Sequence, residues 1–305
     1  MVEINLPTPI EQIVVDGYSF YLKRDDLLHR DFSGNKARKL HYYLQNDFSG
    51  IKKLISYGSA QSNAMYSMSV LAKLKGWEFD YYVEHISSFL RENPQGNYAR
   101  ALKNGMKIII GDAGRIKRQI RGLEKEEGVL FLQEGGRQKE ASFGLEVMAQ
   151  EIREWQYENG IPRLNIFLPS GTGTTALFLQ KHLMLKTKNL NLKTTVFTTP
   201  CVGDSVYLKK QFFMLEENEA YHPAIVIPPK KWHFGKLYSE HYKIWLKLQK
   251  QTGIEFDMLY DPIGWQVLLD NLESFDGAIL YIHQGGVLGN ESMLARYQRK
   301  YKDMA

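Results

Sequence analysis

Lys36 follows directly on a Ser-Gly-Asn turn in the segment DFSGNKARKL, and apolar residues then return at Leu40, Tyr43 and Leu44. That spacing is one face of a helix. A lysine in the first helical turn faces the positive end of the helix dipole, which lowers its pKa. If it points inward with Leu40 and Tyr43, desolvation lowers the pKa further and leaves an amine suited to Schiff-base chemistry. Lys39 lies one turn along, within reach of an anion bound nearby. The plain alternative is a solvated basic face built from Lys36, Arg38 and Lys39, the commoner arrangement for lysines.

The stretch LNIFLPSGTGTTALFL reads as strand, glycine-rich turn and helix, with Gly171, Thr172, Gly173, Thr174, Thr175 and Ala176 matching G-x-G-x-x-A. Glycines let backbone amides approach an anion, and the helix N-terminus adds partial positive charge. A dinucleotide site also needs an acid at the end of the next strand to hold the ribose. That strand, TTVFTTP, ends in Thr198, Thr199 and Pro200. The hydroxyls of Thr172, Thr174 and Thr175 suit a single phosphate monoester better; a tight packing turn is the alternative. YGSAQSNAMYSM repeats the topology with Ser59, Gln61, Ser62 and Asn63 in its turn. Amides exposed there would bind a carboxylate, while helix capping by Ser62 or Asn63 is the structural reading. A phosphate cradle, a carboxylate cradle and an inward lysine are together the components of a pyridoxal phosphate enzyme acting on an amino acid.

The elements that must position these residues are legible. QIVVDGYSFYLKRDD is a hairpin with Asp16-Gly17 at its turn. From KKLISYG onward strands and helices alternate through EFDYYVE, KIIIG, LNIFLP, TTVFTTP and GAILYIHQGG, which predicts parallel sheets flanked by helices. Three glycine-bearing turns, GSAQSN, PSGTGTTA and HQGG, follow strands, where ligands of such sheets bind. KKWHFGKLYSEHYKIWLKLQKQTG reads as a helix with an aromatic packing face and solvated lysines, His233 and His241 having no binding role. The chain has 305 residues, 44% hydrophobic and 24% charged, enough for a large core. Its net charge of +5 is too small and too dispersed for a nucleic-acid surface. A single cysteine, Cys201, excludes an internal disulfide and reads as a buried apolar residue in a reducing compartment. No leader, membrane span or metal site is expected, and the localisation predicted is cytoplasmic.

The blocks YLKRDDLLHRDFSGNKARKL, YGSAQSNAMYS, LPSGTGTTA and ILYIHQGGVLG resemble, in order, those of the 1-aminocyclopropane-1-carboxylate deaminase / D-cysteine desulfhydrase family of pyridoxal phosphate enzymes. The resemblance runs from Leu22 to Gly289. It implies the tryptophan synthase β-like fold (fold type II), α/β with two open, twisted, mostly parallel sheets. The large cofactor domain would comprise 1–47 and 155–305, with a small inserted α/β domain over 48–154. Lys36 would carry pyridoxal 5′-phosphate and act as base, and Lys39 would support the phosphate with Gly171, Thr172, Gly173, Thr174 and Thr175. Asn63 would contact the cofactor, and Ser59, Gln61, Ser62 and Asn63 the substrate, with Ser62 also catalytic.

In this family an Asp-Pro pair precedes a Tyr-Thr-Gly-Lys or Tyr-Glu-Gly-Lys segment, which supplies a tyrosine and a partner for the pyridine nitrogen. Here Gly264-Trp265-Gln266 follows Asp261-Pro262 where that segment is expected, and Tyr260 precedes the pair. β-Elimination asks less acid/base equipment than opening a cyclopropane ring. The expected reaction is therefore β-elimination from a small amino acid, D-cysteine first, by a homodimer without nucleic-acid or membrane partners. The alternatives are 1-aminocyclopropane-1-carboxylate deamination, a nicotinamide-dependent reductase, or a non-catalytic cofactor-binding protein.

Overall fold

The computed structural model describes residues 4–32, 34–186 and 192–302; Ser33 of the opening turn lies outside them. Its strands are β1 (Ile10–Val15), β2 (Tyr18–Arg24), β3 (Lys53–Tyr57), β4 (Glu78–Val83), β5 (Met106–Ile110), β6 (Val129–Phe131), β7 (Arg163–Ser170), β8 (Lys193–Pro200), β9 (Ala224–Ile225) and β10 (Ala278–His283). The α-helices are α1 (Asn35–Gln45), α2 (Asn63–Lys75), α3 (Ser88–Glu92), α4 (Gly96–Lys103), α5 (Ala113–Leu123), α6 (Ala141–Glu158), α7 (Thr174–Lys186), α8 (Ser205–Phe213), α9 (Ser239–Thr252), α10 (Asp261–Leu269) and α11 (Asn290–Lys300).

The hairpin forms as its sequence dictates. Asp16 and Gly17 both adopt positive φ, 51° and 83°, the requirement of a tight hairpin turn. The six-stranded sheet has the order β1-β2-β10-β7-β8-β9, and the four-stranded sheet the order β5-β4-β3-β6. Every pairing is parallel except β1 with β2. Strands β3 to β6 occupy one unbroken stretch, 53–131, inserted between strands of the larger sheet. One core packs α2 and α4 against β3 and β4 through Leu54, Met65, Leu71 and Phe79. Two more cover the larger sheet, and α6 belongs there, burying Leu145, Met148 and Ile152 with Ile166 and Leu280.

Two close approaches fix α1. Gly34 has φ 41°, and any side chain there would overlap the Gln284 carbonyl. Gly144 of α6 lies against the Arg38 carbonyl in the same way, so α1 and α6 pack backbone to backbone. Beneath α1, Arg38 donates to Asp25 and Glu151, and Lys23 Nζ donates to Glu151 and Thr8. All five side chains are buried. The aromatic segment 230–252 is helical only from Ser239. Its helix buries Tyr242, Trp245 and Leu248, while the residues before it form a loop.

Candidate active site

The carboxyl ends of β3, β7 and β10 converge on one cavity of about 440 Å³. It is lined by Lys36, Lys39, Ser59, Gln61, Ser62 and Asn63, and by Gly171, Thr172, Gly173, Thr174 and Thr175. All eleven residues singled out from the sequence therefore meet at one place. The solvated-basic-face reading fails for each of its members: Arg38 is 1% exposed and Lys39 5% exposed. Lys36 opens only into the cavity.

Lys36 Nζ donates to Asn35 Oδ1 at 2.8 Å. Burial lowers its pKa to about 8, with the Asp257 carboxylate opposing part of that fall. In cofactor-free protein, acylation of Lys36 by a small amine-reactive anhydride is expected to level off just above pH 8. Surface lysines should go on gaining reactivity toward pH 10.5. Asp257→Asn removes the opposing charge, so the Lys36 profile should shift to lower pH; peptide mapping by mass spectrometry reads both.

Lys39 Nζ donates to Gly135 O at 3.1 Å, and burial first, then the charges of Lys36 and Arg137, hold its pKa well below the ordinary value. Such an amine gains from an anion placed beside it. Thr172 Oγ1 and Thr174 Oγ1 lie 3.0 Å apart, and Thr175 Oγ1 accepts from Asn35 Nδ2 at 3.3 Å. Asn35 also donates to Gln284 Oε1 at 2.6 Å, while Gln284 Nε2 donates to Pro169 O at 2.7 Å. Gln284 thus ties the start of α1 and the end of β7 to the HQGG turn.

On the facing wall Ser62 caps α2, its Oγ accepting from Ala64 N at 3.1 Å and Met65 N at 3.4 Å. The capping and ligand readings are therefore compatible. The same hydroxyl also lies within hydrogen-bonding reach of the buried Tyr81 phenol. Asn63 Oδ1 accepts from Asn97 at 2.7 Å, which aims its amide nitrogen toward Gly286 and Asp257.

The segment around Asp261-Pro262 needs a different register from the one expected. Trp265 is fully buried and stacked on Tyr281 with centroids 4.4 Å apart, away from the cavity. Tyr260 and Asp261 line the cavity instead. Counting from Asp257, the order is an acid, two residues, then Tyr260 and Asp261, a register four residues earlier than the one expected from Asp261-Pro262. Asp257 Oδ1 accepts from the amides of Leu259 at 2.8 Å and Tyr260 at 2.6 Å and so shapes the turn. Its Oδ2 makes no formed hydrogen bond, although the Asn63 amide lies close enough to stabilise its charge. Burial raises the Asp257 pKa to about 6, against the pull of those amides and of Lys36. Asp261 accepts from Tyr281 Oη at 2.8 Å and from Asp257 N at 2.9 Å; burial and then Asp257 push its pKa up strongly. Tyr260 is raised as well, by burial and then Asp257, so it stays a phenol at neutral pH.

Tyr207, which the sequence offered as a second tyrosine only in an uncertain register, lines the cavity too, and sequence reading passed over Glu134, Phe234, Gln284 and Arg296, which also line it. Gln284 had a signal, the HQGG turn; the others come from loops and from α8 and α11, whose proximity is tertiary. Cys201 is buried and free, as its isolation in the sequence implied.

The donor set fits pyridoxal phosphate: hydroxyls and amides at the start of α7 match a phosphate, and the buried Asp261 carboxylate matches a ring nitrogen. Two mostly parallel sheets with a cleft at their strand ends are the fold of the fold type II pyridoxal phosphate enzymes, and this chain has that fold. The crystal structure of a 1-aminocyclopropane-1-carboxylate deaminase homologue superposes with TM-score 0.82 at 23% identity, covering 100% of this chain and 95% of its own.

In sequence, the chain is homologous to curated proteins named for the two activities of the resemblance. A putative 1-aminocyclopropane-1-carboxylate deaminase of Pyrococcus horikoshii is 24% identical over 289 residues, 90% of this chain and 86% of the relative. A putative mitochondrial D-cysteine desulfhydrase 2 of Oryza sativa is 22% identical over 335 residues, 92% and 81% of the two. No family model matches the chain. Among the described residues no helix is long and apolar enough to cross a membrane.

Proposed function

We propose that this chain is a pyridoxal phosphate enzyme that catalyses β-elimination from a small amino acid, D-cysteine first, using water to yield pyruvate, ammonia and sulfide. The observation that carries the reading is one cavity holding a lysine of lowered pKa between a hydroxyl-rich helix start and a second, Ser62-capped helix start. When bound, pyridoxal phosphate supplies an electron-withdrawing ring that acidifies the Cα proton. Lys39 and Thr172, Thr174 and Thr175 would hold its phosphate, Asn63 its phenolic oxygen and Asp261 its ring nitrogen. Lys36 would carry it, and the neutral form of its Nζ can take up the Cα proton. Ser62 Oγ, with the backbone around Ser59 and Gln61, would orient the substrate carboxylate. Tyr260 Oη, held as a phenol, can donate a proton to the departing sulfur.

The test is sulfide release from D-cysteine, with pyruvate measured in parallel; no release of either sinks the desulfhydrase reading. Tyr260→Phe is expected to lower kcat about 100-fold, the usual worth of a positioned acid. An unchanged kcat would remove Tyr260 from the chemistry. A second reading, 1-aminocyclopropane-1-carboxylate deamination, is favoured by the presence of both Tyr260 and Tyr207 in the cavity. Ammonia release from that compound distinguishes it. We also propose the division into a larger unit and an inserted one, with the return near the start of α6 rather than at 154/155, because α6 packs on the larger sheet. A homodimer and a cytoplasmic location belong to the same proposal, tested by light scattering and by fractionation.

A further inference from the structure

Helix α11 presents Met293 and Arg296 to the cavity, with the buried Ser292 beside Met293 on the same side of the helix. Ser292 Oγ donates to Gln61 Oε1 at 3.1 Å, so the start of the helix abuts the carboxylate cradle. Met293 and Arg296 line the cavity itself, beside Phe234 and Leu259. The Arg296 guanidinium donates to Met293 Sδ at 3.0 Å and to Gly235 O at 3.2 Å, one weak acceptor and one neutral one. Neither of these partners is a carboxylate. The structural arginines behave otherwise: Arg38 and Arg24 each engage two carboxylates. An arginine on an apolar cavity wall with no counter-charge is placed for an anion that arrives with the ligand.

We propose that Arg296 binds a second acidic group of the substrate, so that the site selects amino acids whose side chain or β-substituent carries a carboxylate or comparable anion. The inference rests on reading the cavity as an amino-acid site, and it is independent of D-cysteine being the substrate. Four helical residues advance about 6 Å. A substrate whose α-carboxylate lies at Gln61 and Ser62 therefore reaches Arg296 with an acid a few bonds along its side chain. Lys36 and Lys39 are committed to the other end of the cavity. Glu134 also lines the cavity, beside Gly58. The Phe234, Leu259 and Met293 side chains thin the water around the guanidinium, which strengthens a charge-assisted bond there.

Calorimetric titration of the pyridoxal phosphate-loaded protein with both enantiomers of aspartate, asparagine and alanine tests this. Aspartate and asparagine share shape and differ in the distal charge. In the wild type one aspartate enantiomer is expected to bind about tenfold tighter than the matching asparagine, a charge-assisted bond being worth roughly that ratio. Arg296→Gln should erase the ratio, and Arg296→Lys should keep part of it. Equal binding of aspartate and asparagine to the wild type overturns the proposal. So does a ratio that survives in Arg296→Gln, or a loss that asparagine and aspartate share equally. If none of the six compounds binds, the amino-acid reading of the cavity falls, and this inference falls with it.

Discussion

Replacing Lys36 by alanine is expected to lower sulfide release from D-cysteine by at least about a thousandfold, within the range of removing a positioned base that also anchors the cofactor. The loss should be catalytic and not structural. Lys36 donates to the side chain of its neighbour Asn35, and buries a cation whose desolvation already disfavours it. Thermal unfolding of the cofactor-free variant should therefore match or exceed that of the wild type. Lys36→Arg should be as inactive as the alanine variant, because a guanidinium stays protonated and cannot accept a proton. Sulfide release above about a tenth of wild type in either variant would place the chemistry on another residue.

Asp25→Ala should have the largest effect on stability. Asp25 is completely buried and accepts from Arg38 Nε at 3.0 Å, Arg38 Nη2 at 2.8 Å and Thr8 Oγ1 at 2.7 Å. Without it, Lys23 and Arg38 share Glu151 alone, and two buried cations face one carboxylate. Breaking such a network costs about 3–5 kcal/mol. For a chain of this size that is a fall in Tm of roughly 5–8 °C by calorimetry. Burial alone would raise the Asp25 pKa, but the Arg38 charge and hydrogen bonds outweigh it and the net shift is downward from 3.8. A depressed folded-state pKa means stability is present above the unfolded value and lost as pH falls through the folded one. Wild type should therefore lose this contribution only below about pH 4, and the variant should lack that acid-dependent step. A fall of less than about 1 kcal/mol would mean that water replaces the carboxylate.

Much of this was legible without coordinates, because the signals are local. Asp16-Gly17 demands a hairpin, Gly76 ends α2 in the left-handed conformation at φ 72°, and the apolar strands between polar helices demand a parallel sheet. Lys36, Lys39, Ser62, Asn63 and the loop 171–175 could be singled out because each lies at a helix start after a turn, where residue type and dipole together imply ligand chemistry. Whether Tyr260 takes the place of the expected tyrosine stayed open in the sequence because the Asp261-Pro262 pair looked like the landmark. The turn made by Asp257 with the amides of Leu259 and Tyr260, which helps bring Tyr260 and Asp261 to the cavity, is not encoded in that pair.

What the sequence by itself determined is the alternation of strands and helices and the chemistry of individual turns, both encoded within a few residues. The tertiary structure alone decided which side chains share the cavity. Gln284 and Arg296 reach it from 249 and 260 residues beyond Asn35 and Lys36 because β10 inserts between β2 and β7 and α11 returns across the cleft. It also decided that Arg38, identical in type to any surface cation, is buried on Asp25 and Glu151 while Lys36 two residues away is left without a carboxylate in contact. That difference comes from which face of α1 packs on α6 and which opens to the cavity, and no local pattern encodes it.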